Sequence, residues 1–206
     1  MKNTARTEPD VIVIGGGAAG LMAAGKAAQS GARVLLLEKT DSPGKKILIS
    51  GKTRCNLTNA ADLRTFIAMY GPNGRFLHSA FSRFFRPELL AFFEQYGLTT
   101  KVERGGRIFP VSDDARDVVR VFQKYLAENK VHTIFNARVS SVTRPENSLF
   151  SVQTTNGHYR APCVIIATGG ASWPRTGSEG DGYPISAALG HTVIKPRPAL
   201  VSLMVH

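Results

Sequence analysis

Cysteine is nearly absent: Cys55 and Cys163 are the two in 206 residues, far apart and in unlike surroundings. Two such residues exclude a disulfide framework, and they are too few for a structural zinc site, which takes about four ligands. Long apolar runs are missing as well. No stretch reaches the ~20 apolar residues that span a bilayer. Residues 1–9 are polar, and the run from Val11 to Ile14 is too short for the core of a signal peptide. These absences predict a cytoplasmic protein without a membrane segment. Acidic residues are scarce: 15 Asp and Glu stand against 26 Lys and Arg, a formal charge of +11. That surplus suits a polyanionic partner such as RNA, or an anionic cofactor or substrate, and it is spread along the chain. The apolar fraction, 43%, is ordinary for a chain that buries a core.

What is present begins with a β-branched apolar run, residues 10–14, the pattern of a strand buried on both faces of a parallel sheet. It leads straight into Gly15-Gly16-Gly17-Ala18-Ala19-Gly20. A small-residue helix is expected over 21–30, ended by Gly31, and a second buried strand over 33–37 that finishes at Glu38-Lys39. Residues 40–60 read as a long functional loop with a short helix around Ile47-Leu48-Ile49. Over 62–96, apolar residues at helical intervals predict two or three helices, broken near Gly71-Pro72 and Arg86-Pro87. Short strands are expected at 98–103 and 107–110. An amphipathic helix follows over 113–128, with Val118, Val119, Phe122, Tyr125 and Leu126 inward and Ser112 or Asp113 as its cap.

Four strands are then expected, at 131–135, 137–143, 149–154 and 158–160, the last pair joined by the turn Asn156-Gly157. A buried strand over 163–167 ends in Thr168-Gly169-Gly170, a helix covers 181–189, and a strand starts at 191–194. Cys163 reads as core. The chain stops inside a strand-like stretch, 200–205, with no closing element, which predicts truncation. The fold class is therefore α/β, a doubly wound Rossmann-like domain over residues 10–198 with a small antiparallel β-element near 131–160. Residues 1–9 are expected to be disordered, and 199–206 to begin a missing substrate domain.

Gly15, Gly17 and Gly20 form G-x-G-x-x-G between a strand and a helix, the fingerprint of a dinucleotide site. Gly15 permits the tight turn, Gly17 lets the backbone approach a pyrophosphate, and Gly20 lets helix and strand pack closely. The positive end of the helix dipole faces the phosphates. Glu38, at the end of the second strand, is placed to accept hydrogen bonds from ribose hydroxyls. Two later segments tilt the choice from NAD to FAD: residues 44–59, and residues 167–183, where an apolar strand ends in Ala167-Thr168-Gly169-Gly170.

With Gly106-Arg107-Ile108-Phe109-Pro110-Val111-Ser112 and Leu189-Gly190-His191, these segments resemble the BaiN/YhiN-type flavoproteins. That family is also described as aminoacetone-oxidase-like NAD(P)/FAD-dependent oxidoreductases. The resemblance covers residues 10–205, and Arg54-Cys55-Asn56-Leu57-Thr58-Asn59 is its most specific part. It implies a two-dinucleotide-binding flavoprotein truncated before its substrate domain, with FAD as cofactor and NAD(P)H as electron donor. By resemblance Gly15, Gly17, Ala18, Ala19, Gly20, Glu38 and Lys39 hold the ADP part. Lys46, Ser50, Gly51, Arg54, Cys55 and Asn56 lie along the flavin, Val139 offers backbone bonds to adenine, and Ala167, Thr168 and Gly169 complete the set.

Cys55 is the candidate proton donor, with packing filler as its bland alternative, and Arg54 the candidate stabiliser of negative charge on the flavin, with a surface salt bridge as its own. Trp173 and Tyr183 are either ring-stacking or lid residues. Where the family usually has Ser-Gly-Gly-Gly-Arg-Cys-Asn, Lys52-Thr53 follow Gly51 here, and these residues resist the positive φ that glycine allows. The implied activity is reduction of an activated C=C bond, of uridine in ribosomal RNA or of a small enone such as a dehydro-steroid. An amine oxidase, and a fragment without turnover, are the alternatives. No membrane partner is expected.

Overall fold

The computed structural model describes residues 8–146 and 148–198. The strand expected at 200–205, the domain start at 199–206 and most of the N-terminal segment 1–9 lie outside those residues. The parallel sheet has the order β10-β1-β2-β6. It is built from β1 (Val11–Ile14), β2 (Val34–Leu37), β6 (His132–Ile134) and β10 (Cys163–Ile166). Ile12 pairs with Leu35 on one side and with Val164 on the other, all in parallel register. The first helix, α1 (Ala18–Gln29), starts three residues earlier than its apolar spacing predicts, because the glycine-rich turn passes straight into it.

Alternation along the two central strands divides the core. Val13, Val34 and Leu36 face α1, α5 (Arg86–Gln95) and α6 (Ala115–Glu128), and pack with Leu21, Ala24, Phe93, Phe122 and Tyr125. Ile12, Ile14, Leu35 and Leu37 face the other way. There they meet an antiparallel sheet of β7 (Val139–Thr143), β8 (Phe150–Thr154) and β9 (Gly157–Ala161), together with α7 (Gly182–Ala188). Burial on both faces is why these strands read as unbroken apolar runs. Each fully buried Leu or Ile contributes about 1.5–3 kcal/mol.

A second antiparallel sheet, in the order β3-β5-β4, joins β3 (Thr58–Asn59), β4 (Thr100–Glu103) and β5 (Arg107–Pro110). Between β2 and α5 the chain also forms the short helices α2 (Lys45–Ile49), α3 (Leu63–Ala68) and α4 (His78–Phe81). No helix among the described residues is long and apolar enough to cross a membrane.

Several expectations are corrected. The strand at 131–135 belongs to the parallel sheet, through Leu35–His132 pairing, so the antiparallel element starts only at Val139. No strand forms at 191–194. Ile194 is 88% exposed, and an extended segment without a ladder partner gains nothing from being a strand. Cys163 is exposed where its strand opens, not core. The cap of α6 is Asp114, whose carboxylate accepts the Arg116 N–H, because Asp113 takes a positive φ and turns to Lys101 and Arg54.

Two exposed carboxylates give the fold an acid dependence. Asp10 ties the start of β1 to Arg33 beside β2, and side-chain bonds from that arginine lower its pKa from 3.8 to about 2. Arg116 lowers Asp114 to about 2 in the same way. Because both folded values lie below the unfolded ones, their stabilisation is full above about pH 4 and is lost as pH falls towards 2. We expect the melting temperature to drop over that interval and Asp10→Asn to flatten the drop. A variant whose acid profile matches the parent would remove Asp10 from the account.

Candidate functional site

The turn between β1 and α1 shows why each glycine stands where it does. Gly15 has φ +105°, and a Cβ there would lie 2.5 Å from the Ala167 carbonyl oxygen at the end of β10. A Cβ on Gly20 would overlap the carbonyl oxygen of Gly15, so strand and helix touch through backbone. Gly17 differs: it caps α1 in ordinary extended backbone, and a Cβ there would meet nothing within 4 Å. Its missing side chain leaves space open. Among the described residues no side chain caps α1 and no acid lies in its first turn, so its first N–H groups find no acceptor there.

That space belongs to a cavity of about 730 Å³, within the range of cofactor pockets. Its wall includes Gly15, Gly17, Ala18, Ala19, Glu38, Lys39, Lys46, Ser50, Cys55, Asn56, Val139, Ala167, Thr168 and Gly169. Gly20 packs behind the wall. Gly51 also lies outside it, against Phe109 and the Asn56 amide.

Glu38, 8% exposed, holds the floor together. One oxygen accepts the Gly16 N–H at 2.6 Å; the other accepts the Thr40 N–H at 2.7 Å and its hydroxyl at 2.8 Å. A carboxylate has about four acceptor positions, so one remains for a ligand hydroxyl. Lys39 is committed elsewhere. Its ammonium lies 2.5 Å from Asp181 and 3.1 Å from Glu179, and Arg138 bonds both acids from the far side. Lys46 donates to the Ser172 carbonyl at 2.9 Å. The glycine-rich segment after β10 is thus fastened at both ends across the cavity, with Thr176, Gly177 and Ser178 facing inward.

The loop after α2 is the strained part of the site. Gly51, Lys52, Thr53 and Cys55 all have φ between +56° and +66°. Left-handed backbone costs a non-glycine residue roughly 1–2 kcal/mol. Lys52 and Thr53 therefore adopt the conformation they resist, because the loop is tied on all sides. The Cys55 N–H donates to the Ser50 carbonyl, and the Ala115 N–H to the Thr53 carbonyl. Arg54 turns away from the cavity. Its guanidinium stacks 4.1 Å from the Phe109 ring centroid and bonds Glu103 at 2.8 Å and Asp113 at 3.2 Å. The structure thus places Arg54 as an anchor of the loop, not at the cavity, and Cys55 at the wall. Burial pushes the Cys55 thiol up, partly offset by its bond with Ser50, so it stays protonated at neutral pH.

Sequence reasoning missed Thr40 and Ser42 at the wall, and it left Gly44, Thr176, Ser178 and Asp181 unassigned although they lie in the segments that pointed to FAD. Gly44 had a signal: it follows Pro43, has φ +73° and donates to the Gly16 carbonyl. Glu179 and Asp181 had one too, as acids in a glycine-rich loop of a chain poor in acids. Of the two aromatic candidates, Tyr183 lines the cavity and Trp173 is 67% exposed outside it.

The model of the HI0933-like protein Rossmann domain matches residues 9–199. The chain belongs to the HI0933-like family. Within it, the chain is 38% identical over 196 residues to the 3-dehydro-bile acid delta(4,6)-reductase of Clostridium scindens, covering 94% of this chain and 47% of that protein. It is 31% identical over 198 residues to the ribosomal RNA dihydrouridine synthase of Escherichia coli, covering 96% and 48%. This HI0933-like chain thus spans about half the length of the curated relatives it matches.

Solved structures agree on the fold. The 3-ketosteroid-delta4-(5alpha)-dehydrogenase of Rhodococcus jostii RHA1 aligns with TM-score 0.65 at 17% identity, over 92% of this chain and 56% of that one. A flavocytochrome c3 fumarate reductase aligns with 0.62 at 20%, over 88% and 40%. Family model and alignments agree on a Rossmann-type α/β fold.

Proposed function

We propose that this chain is the FAD-binding part of a reductase that saturates an activated carbon–carbon double bond with electrons from NAD(P)H. The observation that carries the reading is one continuous cavity. It joins the uncapped start of α1, the spare acceptor position of Glu38, the Ala167–Gly169 crossing and the Cys55 thiol. Residues and group fit. The bare backbone at Gly17 and the free N–H groups of α1 suit a pyrophosphate, and Glu38 suits a ribose. Val139 lines the same cavity beside the bulge between Val139 and Ser141, where its backbone suits adenine.

FAD held along this wall would supply hydride transfer from NAD(P)H to one carbon of the double bond. The chain's own part is to position that exchange, exclude water with the fastened segment after β10, and supply a proton to the neighbouring carbon. Cys55 suits that step because burial keeps its thiol protonated, so the proton is present when the hydride arrives. The domain is taken to run over residues 10–198.

Two substrate classes fit. Uridine in ribosomal RNA, giving dihydrouridine, is favoured by the +11 charge. A small apolar enone is favoured by the wall of Leu89, Phe93, Val118 and Phe122 and by the relative that reduces a bile acid.

The test is the visible spectrum after FAD reconstitution, followed anaerobically with NADPH. Flavin bands that bleach are expected; a colourless protein would overturn FAD binding by this chain. With a substrate in hand, Cys55→Ser should still bleach with NADPH but turn over at least tenfold more slowly, in the range of a lost general acid. Full turnover by the serine variant would assign Cys55 to packing. Iodoacetamide should label the exposed Cys163 well before Cys55.

A further inference from the structure

The helices that precede β4 carry a surface the reductase chemistry does not use. Between Leu63 and Pro87 there is no Asp or Glu, while Arg64, Arg75, Arg83 and Arg86 all fall there. Elsewhere positive charge is often neutralised, as Arg33, Lys39, Arg54, Lys101 and Arg138 are by nearby acids. Among the described residues no ion pair involves Arg64, Arg75 or Arg83, and all three are exposed. The same lobe exposes large apolar side chains, which a solvated basic surface does not need: Phe76 at 88%, Met69 at 67% and Tyr70 at 52%. Tyr70 sits at the edge of a ring cluster with Phe66 and Phe81, which continues to Phe85 at the start of α5. Rigidly packed rings, bare aromatic faces and unpaired guanidinium groups on one lobe are what a strand of unpaired bases and phosphates requires.

We propose that this lobe, residues 63–86, is a stacking platform for single-stranded RNA. It deepens the reductase reading, on which the choice of RNA rests, because uracil is an RNA base. The platform adjoins the cavity: α5 begins against Phe66 and Phe81 and lines the cavity with Leu89 and Phe93. At 1.5 Å per residue, Phe85 lies about 6 Å along the axis from Leu89.

The test is fluorescence anisotropy of the FAD-reconstituted chain with a uridine-rich single strand of about 12 nucleotides, close to the site size of one stacking domain. The same RNA as a duplex and heparin, a polyanion without bases, serve as controls. The single strand should bind best. Phe76→Ala and Tyr70→Ala should each weaken it about 5- to 150-fold, the range for one lost base stack. Arg75→Ala should lower the salt slope by about 0.7, the value for one phosphate contact on a single strand. Flavin content should stay at the parental value in all three variants, and melting temperature in Phe76→Ala and Arg75→Ala, whose side chains are exposed. Tyr70→Ala should melt somewhat lower, because it also loses ring contacts with Phe66 and Phe81.

Equal binding of heparin, or indifference to both aromatic substitutions, would overturn the platform. So would a change in self-association on sedimentation without one in RNA binding, which would make the lobe an interface between copies. Loss of flavin bleaching with RNA binding intact would instead refute the reductase reading and leave the platform standing.

Discussion

Gly20→Ala is expected to destabilise the chain by about 3 kcal/mol, the upper range for overpacking a close-fitted site. Gly17→Ala is expected to leave the fold nearly unchanged and remove FAD. Both residues stand in the same six-residue turn, yet their surroundings are opposite. A methyl group on Gly20 would overlap the Gly15 carbonyl, and Gly15 cannot yield, because its own backbone is packed against Ala167. Strand β1, helix α1 and strand β10 would have to separate together. A methyl group on Gly17 meets no protein atom, and its φ of −79° is open to alanine. The only cost to folding is a poorer helix cap, about 0.5–1 kcal/mol. That methyl group instead occupies the ground where the proposed pyrophosphate approaches the α1 N–H groups. Urea unfolding followed by circular dichroism, with flavin absorbance after gel filtration, reads both effects. Parental stability in Gly20→Ala would refute the close packing; FAD retained by Gly17→Ala would move the pyrophosphate away from α1.

Glu38→Gln should be nearly as damaging, although the side chains match in size. The carboxylate accepts from two backbone N–H groups and a hydroxyl, one cluster on each oxygen. A glutamine has one carbonyl oxygen and one NH2 group, so one orientation sets the NH2 against the Gly16 N–H and the other against the Thr40 N–H. Either way a buried donor loses its acceptor, at about 1–3 kcal/mol. The loop around Gly16 loosens, and the position left for a ribose hydroxyl goes with it. We expect lower thermal stability together with at least tenfold weaker FAD binding. A variant with unchanged affinity would show that Glu38 serves the loop alone.

Cys55→Ser and the RNA titration probe different links. The first asks whether a proton donor stands at the wall, the second what is brought to it.

Much of the fold was legible because its signals are local. Unbroken β-branched runs marked β1, β2 and β10. Amphipathic spacing marked α6 together with its inward residues, and the glycine spacing marked the turn with the role of each glycine. The misreadings concern partners. The strand at 132–134 looks like its antiparallel successors, and only pairing with Leu35 places it in the parallel sheet. Residues 191–194 have strand composition but no ladder to join. Asp113 and Asp114 are equal as caps until Lys101 and Arg54 draw the first one away.

By itself the sequence determined the α/β class and the glycine-rich turn, since both depend on residue spacing within a few turns of chain, and its resemblance to known flavoproteins pointed to the family. The tertiary structure decided what each side chain at the site is free to do. It spent Lys39 on Asp181 and Glu179, turned Arg54 outward onto Phe109, and left Cys55 buried and protonated at the cavity. The physical reason is that a charge takes its chemistry from the groups within a few ångströms, and for Arg54 and Lys39 those come from segments 49 to 142 residues away.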